Sequence, residues 1–219
     1  MPMKVVAIVS GGMDSVTMLH KLVKAGNEVE VLSFDYRQRH KKELECAKQN
    51  AELLGLKHKI IDIQFLYELG SNSALTQGES VPEGHYADDN MKKTVVPNRN
   101  MILASIAIAH AVNIEADAIA LGVHSGDHTI YPDCRPEFIS ALRTCALIAN
   151  WKPIDVIAPY LYADKTVILQ DGFLLDVDYA KTWTCYNGGE KACGRCGSCQ
   201  ERLEAFKNIE KADPLPYEN

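Results

Sequence analysis

The sequence predicts an α/β protein, a doubly wound and mostly parallel sheet with a metal-binding segment at its C-terminal end. Three observations predict it. Short apolar runs alternate with stretches of helical period along most of the chain. The first apolar run passes directly into Ser10-Gly11-Gly12-Met13-Asp14-Ser15 and then into a helical pattern. Four of the seven cysteines gather after Trp183. With 219 residues, 47% of them hydrophobic, the chain can bury one sizeable core with a small appendage. Residues 1–182 read as one domain built on the sheet. Residues 183–219 read as a four-cysteine segment and helix packed on it.

The elements follow in order. Val5-Val6-Ala7-Ile8-Val9 is the first strand, and Val16, Leu19, Leu22 and Val23 mark one face of the first helix. Residues 28–34 form a second strand, and 41–54 a helix that Gly55 terminates as C-cap. Residues 57–62 are a third strand, 100–113 a long apolar helix and 118–122 a fourth strand. Residues 136–149 are a further helix, and 156–158 a fifth strand. This alternation implies a parallel sheet with helices on both faces. Ligands in such sheets sit at the C-terminal ends of the strands, where Gly11 and the segments after Phe34 and Gly122 fall. Residues 70–94 are polar and aperiodic, with Gly78, Pro82 and Gly84. So long a loop is expected to be a lid, an oligomer contact or merely mobile.

The turn at Gly11 has the makings of a pyrophosphate trap. Two glycines allow close backbone approach to an anion, with N–H groups pointing inward. The helix N-terminus adds partial positive charge, and Ser10 and Ser15 add hydroxyl donors. No lysine lies in the loop, so it is not the loop that holds terminal phosphates. The plain alternative is a glycine-rich turn capped by Asp14.

Cys185, Cys193, Cys196 and Cys199 are separated by seven, two and two residues, with Gly188, Gly189, Gly194 and Gly197 among them. Four thiolates at such gaps can close a tetrahedral shell, and zinc in an all-cysteine site is structural. An iron–sulfur cluster is the alternative. Cys46 and Cys145 lie on helix patterns and read as small core residues. Seven cysteines, with no segment long and apolar enough to span a bilayer and no signal-peptide pattern, predict a cytoplasmic protein.

Three further segments carry polar residues that the fold does not demand. In Val96-Pro97-Asn98-Arg99-Asn100-Met101, Asn98 or Asn100 can cap the helix; Arg99 has a fork suited to phosphate. The second runs from Gly122 through His124, His128 and Tyr131-Pro132-Asp133-Cys134-Arg135. The third is Ala158-Pro159-Tyr160-Leu161, followed by Asp164-Lys165 at a helix start.

Ser-Gly-Gly-Met-Asp-Ser resembles the signature of PP-loop enzymes, which cleave ATP at its α-phosphate. SGGMDS, DYRQRHKKEL, VPNRNM, YPDCRPEF, the Lys165 segment and TCYNG with CGRCGSC together resemble the 7-cyano-7-deazaguanine synthases. These motifs span Val5 to Cys199. YPDCR and TCYNG with the cysteines are the most specific. One departure stands at Tyr36-Arg37-Gln38-Arg39, where the family is expected to carry glycine at the second position.

The resemblance implies an adenine-nucleotide α-hydrolase fold and a two-stage, ATP-dependent carbon–nitrogen ligase of queuosine-precursor biosynthesis. ATP activates a 7-deazaguanine carboxylate, ammonia gives the amide, and a second activation with elimination gives the nitrile. The family's ATP loop falls on Ser10, Gly11, Gly12, Met13, Asp14 and Ser15, and its structural zinc, one per chain, on Cys185, Cys193, Cys196 and Cys199. Lys165 and Arg99 are candidate cations for the leaving pyrophosphate. Asp14 is placed to touch Mg²⁺ or to cap the helix. Asp133 can accept the adjacent N–H pair of the base, or serve as a turn residue after Pro132. Arg135 can hold the substrate carboxylate. His128 is a candidate base for the proton of ammonia, or an ordinary surface or core histidine.

The expected partners are 7-carboxy-7-deazaguanine, ammonia, ATP and a second copy of the chain, without nucleic acid or membrane. The net charge of -6 argues against wrapping a phosphate backbone. The rivals are another PP-loop enzyme, a tRNA thiolase or an ammonia-dependent amide synthetase, and a zinc-knuckle nucleic-acid module. Arg195, Arg202 and Lys207 beside the cysteines are offset by Glu190, Glu201 and Glu204.

Overall fold

The computed structural model describes residues 2–65, 73–76, 80–85 and 89–218. Five parallel strands form its sheet: β1 (Lys4–Ile8), β2 (Glu28–Asp35), β3 (Lys57–Asp62), β4 (Ala118–Ala120) and β5 (Asp155–Ile157). Their order is β3-β2-β1-β4-β5. The order reverses between β1 and β4, the kind of point at which a parallel sheet opens a crevice beyond its strand ends.

β1 is covered on both sides, which explains its unbroken apolar run. Val6 joins one core with Leu32 and Ile119, packed under α3 (Arg99–Asn113) and α4 (Pro136–Ile148). Val5 and Ala7 join the other, under α1 (Met13–Lys24), α2 (Lys42–Leu53), α5 (Lys165–Leu174) and α6 (Gly197–Asn208). The doubly wound architecture is therefore present, with strand bounds within a residue or two of expectation. Ala205 and Phe206 of α6 belong to the second core. Trp183 N–H donates to Gly11 O at 3.0 Å. The C-terminal segment thus packs directly on the sheet domain and on its first loop.

Cys145 is exposed and no core residue, whereas Cys46 is half-buried and packs against the core around Trp183 and Cys185. α4 buries Ile139, Leu142 and Ala146, and Cys145 lies off that face. The loop expected over 70–94 falls partly outside the described residues. Of its described part, Asp89–Thr94 is a 3₁₀ helix, and Glu83 pairs as an isolated bridge with Cys196.

Candidate active site

The strand-to-helix turn closes around one hydroxyl. Ser15 Oγ accepts the N–H groups of Ser10 at 3.2 Å and Gly11 at 3.3 Å, and Ser10 Oγ accepts that of Gly12 at 3.2 Å. Gly11 has φ +100°, and a Cβ there would fall 1.9 Å from Glu43 O. Only glycine fits. Gly12 differs: its φ is -71°, and a Cβ would sit 3.4 Å from Glu43 Oε1 and from Ser10 Oγ. The positive backbone angle belongs to Gly11 alone.

Asp14 lies in the first turn of α1 and does not cap it; Gly12 occupies the cap position without a side-chain bond. The carboxylate turns into the domain instead. Asp14 Oδ2 is 3.2 Å from Lys165 Nζ and 3.7 Å from His124 Nε2, and Oδ1 is buried with no partner among the described residues. Burial alone would raise this carboxyl, but the Lys165 ammonium and His124 outweigh it and hold it below the ordinary value.

Lys165 opens α5, whose cap is Asp164, with Oδ1 accepting Val167 N–H at 2.8 Å. Its side chain is 5% exposed, and Nζ also lies 2.7 Å from Glu201 Oε2. Burial alone would lower the ammonium's pKa; Asp14 and Glu201 raise it well above the usual lysine value. Lys165 is therefore a fixed cation.

These groups line one cleft of about 190 Å³ at the β1/β4 crevice. Ser10, Gly12, Met13, Asp14, Ser15, Arg99 and Lys165 all face it. Tyr36, Tyr131 and Tyr186 line it as well. Arg99 Nη1 donates to Tyr36 OH at 3.3 Å, and the Tyr131 and Tyr186 hydroxyls are 3.2 Å apart. Burial pushes the Tyr36 and Tyr131 hydroxyls up, so they stay neutral donors.

Neither Asp133 nor Arg135 lines this cleft. Asp133 Oδ2 accepts Asn100 N–H at 2.9 Å and so closes the α3 N-terminus from outside its own helix. Asn98, at the cap position, has φ +58° and makes no side-chain cap; Asn100 Nδ2 donates back to Asp133 O at 3.1 Å. Arg135 is exposed, with Nε donating to His128 O at 2.8 Å. In this geometry Asp133 contacts the start of α3 and Arg135 the turn at His128. Cys134 does line it, as a buried thiol pushed far up by desolvation.

His124 and Asp127 belong to the polar segment after Gly122 that the sequence singled out, without a role for either; Glu201 carried no sequence signal for the site. His124 Nδ1 accepts Gly126 N–H at 3.1 Å, which leaves Nε2 as the protonated nitrogen facing Asp14 and Asp127. Arg37 explains the departure from glycine. Its φ is +64°, the left-handed region, held by its N–H to Asp35 Oδ1 at 3.0 Å.

The four cysteine sulfurs Cys185, Cys193, Cys196 and Cys199 are buried and lie within 4.8 Å of one another. A tetrahedral zinc with about 2.3 Å bonds needs sulfurs about 3.8 Å apart, so a small contraction suffices. Cys193 N–H points at Cys185 Sγ, and the Arg195 and Cys196 N–H groups at Cys193 Sγ, at 3.3, 3.4 and 3.3 Å. Backbone donors aimed at sulfur suit thiolates, and the donor set fits zinc.

Comparison with known proteins identifies the family. The family model "Queuosine biosynthesis protein QueC" matches residues 4–210. A 7-cyano-7-deazaguanine synthase of Hahella chejuensis is 57% identical over 218 residues, 100% of this chain and 94% of that protein. 7-Cyano-7-deazaguanine synthase 1 of Colwellia psychrerythraea is 56% identical over 215 residues, 98% of this chain and 99% of that protein. Among solved structures, NMN synthetase from Francisella tularensis superposes with a TM-score of 0.53 at 17% identity, covering 95% of this chain and 77% of that one. At that identity the likeness speaks for the fold alone.

Proposed function

The chain belongs to the queuosine biosynthesis protein QueC family and is an ATP-dependent ligase of the 7-cyano-7-deazaguanine synthase type; from that premise we propose how its cleft divides the work. The substrates are ATP, ammonia and 7-carboxy-7-deazaguanine. A carboxylate carries no good leaving group, so one of its oxygens first attacks the α-phosphorus and pyrophosphate departs. Ammonia then adds at the acyl carbon and AMP leaves, giving the amide. The amide oxygen takes a second adenylyl group, and its loss as AMP with the remaining N–H protons gives the nitrile. AMP and pyrophosphate as products rest on fold analogy.

The residues meet the demands of that chemistry. Charge grows on the departing pyrophosphate and needs donors and cations already in place. The turn from Ser10 to Ser15, with the first N–H groups of α1, supplies the donors. Lys165 and Arg99 supply the cations. Asp14, with its unpartnered Oδ1, would hold Mg²⁺, which neutralises pyrophosphate charge when bound. The purine-like base lies against Tyr36, Tyr131 and Tyr186, with Arg99 reaching the carboxylate or phosphate. Asp133 holds the α3 N-terminus so that Arg99 and Asn100 keep their direction, and Arg135 braces the turn at His128. The four cysteines hold one structural zinc per chain, and two chains form a homodimer.

The observation that carries this reading is the buried Lys165–Asp14 pair beside a turn whose Gly11 accepts no other residue. The test is incubation of the purified protein with ATP, ammonia and 7-carboxy-7-deazaguanine, without nucleic acid. Mass spectrometry should find the nitrile, and phosphorus NMR should find AMP and pyrophosphate. Absence of nitrile, or a requirement for tRNA, overturns the reading.

A further inference from the structure

Lys165 is held from two sides. One partner is Asp14 of the nucleotide turn, at 3.2 Å. The other is Glu201, closer at 2.7 Å, which belongs to neither the turn nor the strand ends. Glu201 stands on α6, the helix whose cap residue is Cys196 and whose first turn contains Cys199. Two of the four metal-binding sulfurs therefore fix the end of the helix that presents Glu201.

The rest of that helix is built as a rigid mount. Arg202, the next residue, is 0% exposed. It grips Asp213 through Nε and Nη2 at 2.7 and 2.9 Å and donates to the hydroxyls of Thr182 and Thr184 at 2.7 and 3.1 Å. Phe206 anchors the next turn in the core. The far side of the Glu201 carboxylate is confined too, since a side chain on Gly126 would fall 2.5 Å from Oε1. The charged groups around Lys165 are thus Asp14 from α1, Asp127 from the turn after β4 and Glu201 from α6, with His124 lying against Asp14 and Asp127.

We infer that Glu201 is the positioning residue of the catalytic Lys165, and that the four-cysteine centre acts on the reaction through it. The inference rests on the reading of this cleft as the ATP site. Without the Glu201 charge, the ammonium would lean further onto the Asp14 carboxylate, taking the cation from the leaving group and the acceptor from the metal ion. Glu201, the nearer carboxylate, shares the ammonium and so limits this. The zinc is structural in coordination, yet its loss would free the helix end that carries Glu201.

The test uses the zinc-loaded full chain. Glu201→Gln keeps the shape and removes the charge. It should lower kcat by roughly tenfold or more while KM for ATP changes by less than about threefold, the signature of a group that matters after binding. Zinc content should stay at the wild-type value. Glu201→Asp, which keeps the charge, should recover part of kcat. An independent readout is acylation of Lys165 by an amine-reactive ester, read by peptide mass spectrometry. Labelling should rise at least about fivefold in Glu201→Gln, because a released ammonium moves and deprotonates more easily. Removing zinc from the wild type should raise labelling likewise, and should add little in the variant.

A Glu201→Gln protein with wild-type kcat and unchanged Lys165 labelling overturns the inference. So does a zinc-stripped, still folded protein whose Lys165 stays protected. If the wild type forms no nitrile, the functional reading fails on its own, and the labelling arm still decides the role of Glu201.

Discussion

Asp133 Oδ2 accepts the backbone N–H of Asn100 at 2.9 Å, so a carboxylate 33 positions along the chain caps the helix that carries Arg99. The residue at the cap position, Asn98, is left-handed and cannot do it. The segment Tyr131–Arg135 and the start of α3 are therefore joined beside Arg99 and Asn100, which line the cleft.

The two glycines of the first turn should respond in opposite ways to alanine. Gly11→Ala puts a Cβ against Glu43 O and imposes a left-handed angle on an L-residue. Strain and overpacking together should cost roughly 2–5 kcal/mol. Gly12→Ala has ordinary backbone angles and room for the methyl group. It should fold with full zinc content within about 0.5 kcal/mol of wild type. ATP turnover should nonetheless be lost, because Gly12 lines the cleft and the added methyl group takes space at the turn. Thermal melts and ATP calorimetry on both variants decide this; unchanged ATP affinity in folded Gly12→Ala excludes a pyrophosphate site there.

The cysteines should separate by reactivity. Cys145 is exposed and should alkylate first. Cys46 should follow slowly, since burial and the neighbouring Glu43 push its thiol up to about 11. Cys134 is buried and should stay unmodified in the folded protein. Cys185, Cys193, Cys196 and Cys199 should react only after chelation. Cys196→Ser should release the metal and lower stability by several kcal/mol, because structural zinc supplies folding energy (apparent values about 10–16 kcal/mol in small domains). Elemental analysis that finds iron with sulfide, or no zinc, overturns the metal assignment.

What could be read from the sequence was local. β1 and its turn were legible because a doubly buried strand must be apolar throughout and a close-approach turn must be glycine, as at Gly11. The cysteine centre was legible from spacing alone. Glu201 was not, since it sits among the charged residues of an ordinary-looking helix and acquires its meaning only from Lys165, 36 positions earlier. The contact of Asp133 with Asn100 was hidden for the same reason, the two lying on different elements. Cys145 misled because a helical pattern reports that a face is buried without saying which nearby small residue lies on it.

Arg37 should be a site of stored strain. A non-glycine residue at φ +64° costs about 1 kcal/mol over glycine. Arg37→Gly and Arg37→Ala both lose the contact of Nε with Gln64 Oε1 at 3.0 Å, so they differ only in backbone freedom. Arg37→Gly should therefore be more stable than Arg37→Ala by roughly 1 kcal/mol. Urea unfolding of the pair measures the difference; equal midpoints mean that this turn is not left-handed in solution.

Asp133 separates two roles that the sequence left open. As a cap, it needs one acceptor for Asn100 N–H, and asparagine still offers a carbonyl oxygen. Asp133→Asn should then keep stability and should bind 7-carboxy-7-deazaguanine within about threefold of wild type, whereas Asp133→Ala should lose about 1 kcal/mol, the usual cost of a lost cap. Base and ATP binding should weaken together in Asp133→Ala, because Arg99 and Asn100 move with the helix end. Were Asp133 instead the acceptor for the N–H pair of the base, Asp133→Asn would bind ATP normally and lose the base by tenfold to a hundredfold, about 1–3 kcal/mol. Separate calorimetric titrations of the base and of ATP into both variants distinguish the two patterns. A selective loss of base binding in Asp133→Asn refutes the cap reading and returns Asp133 to the substrate.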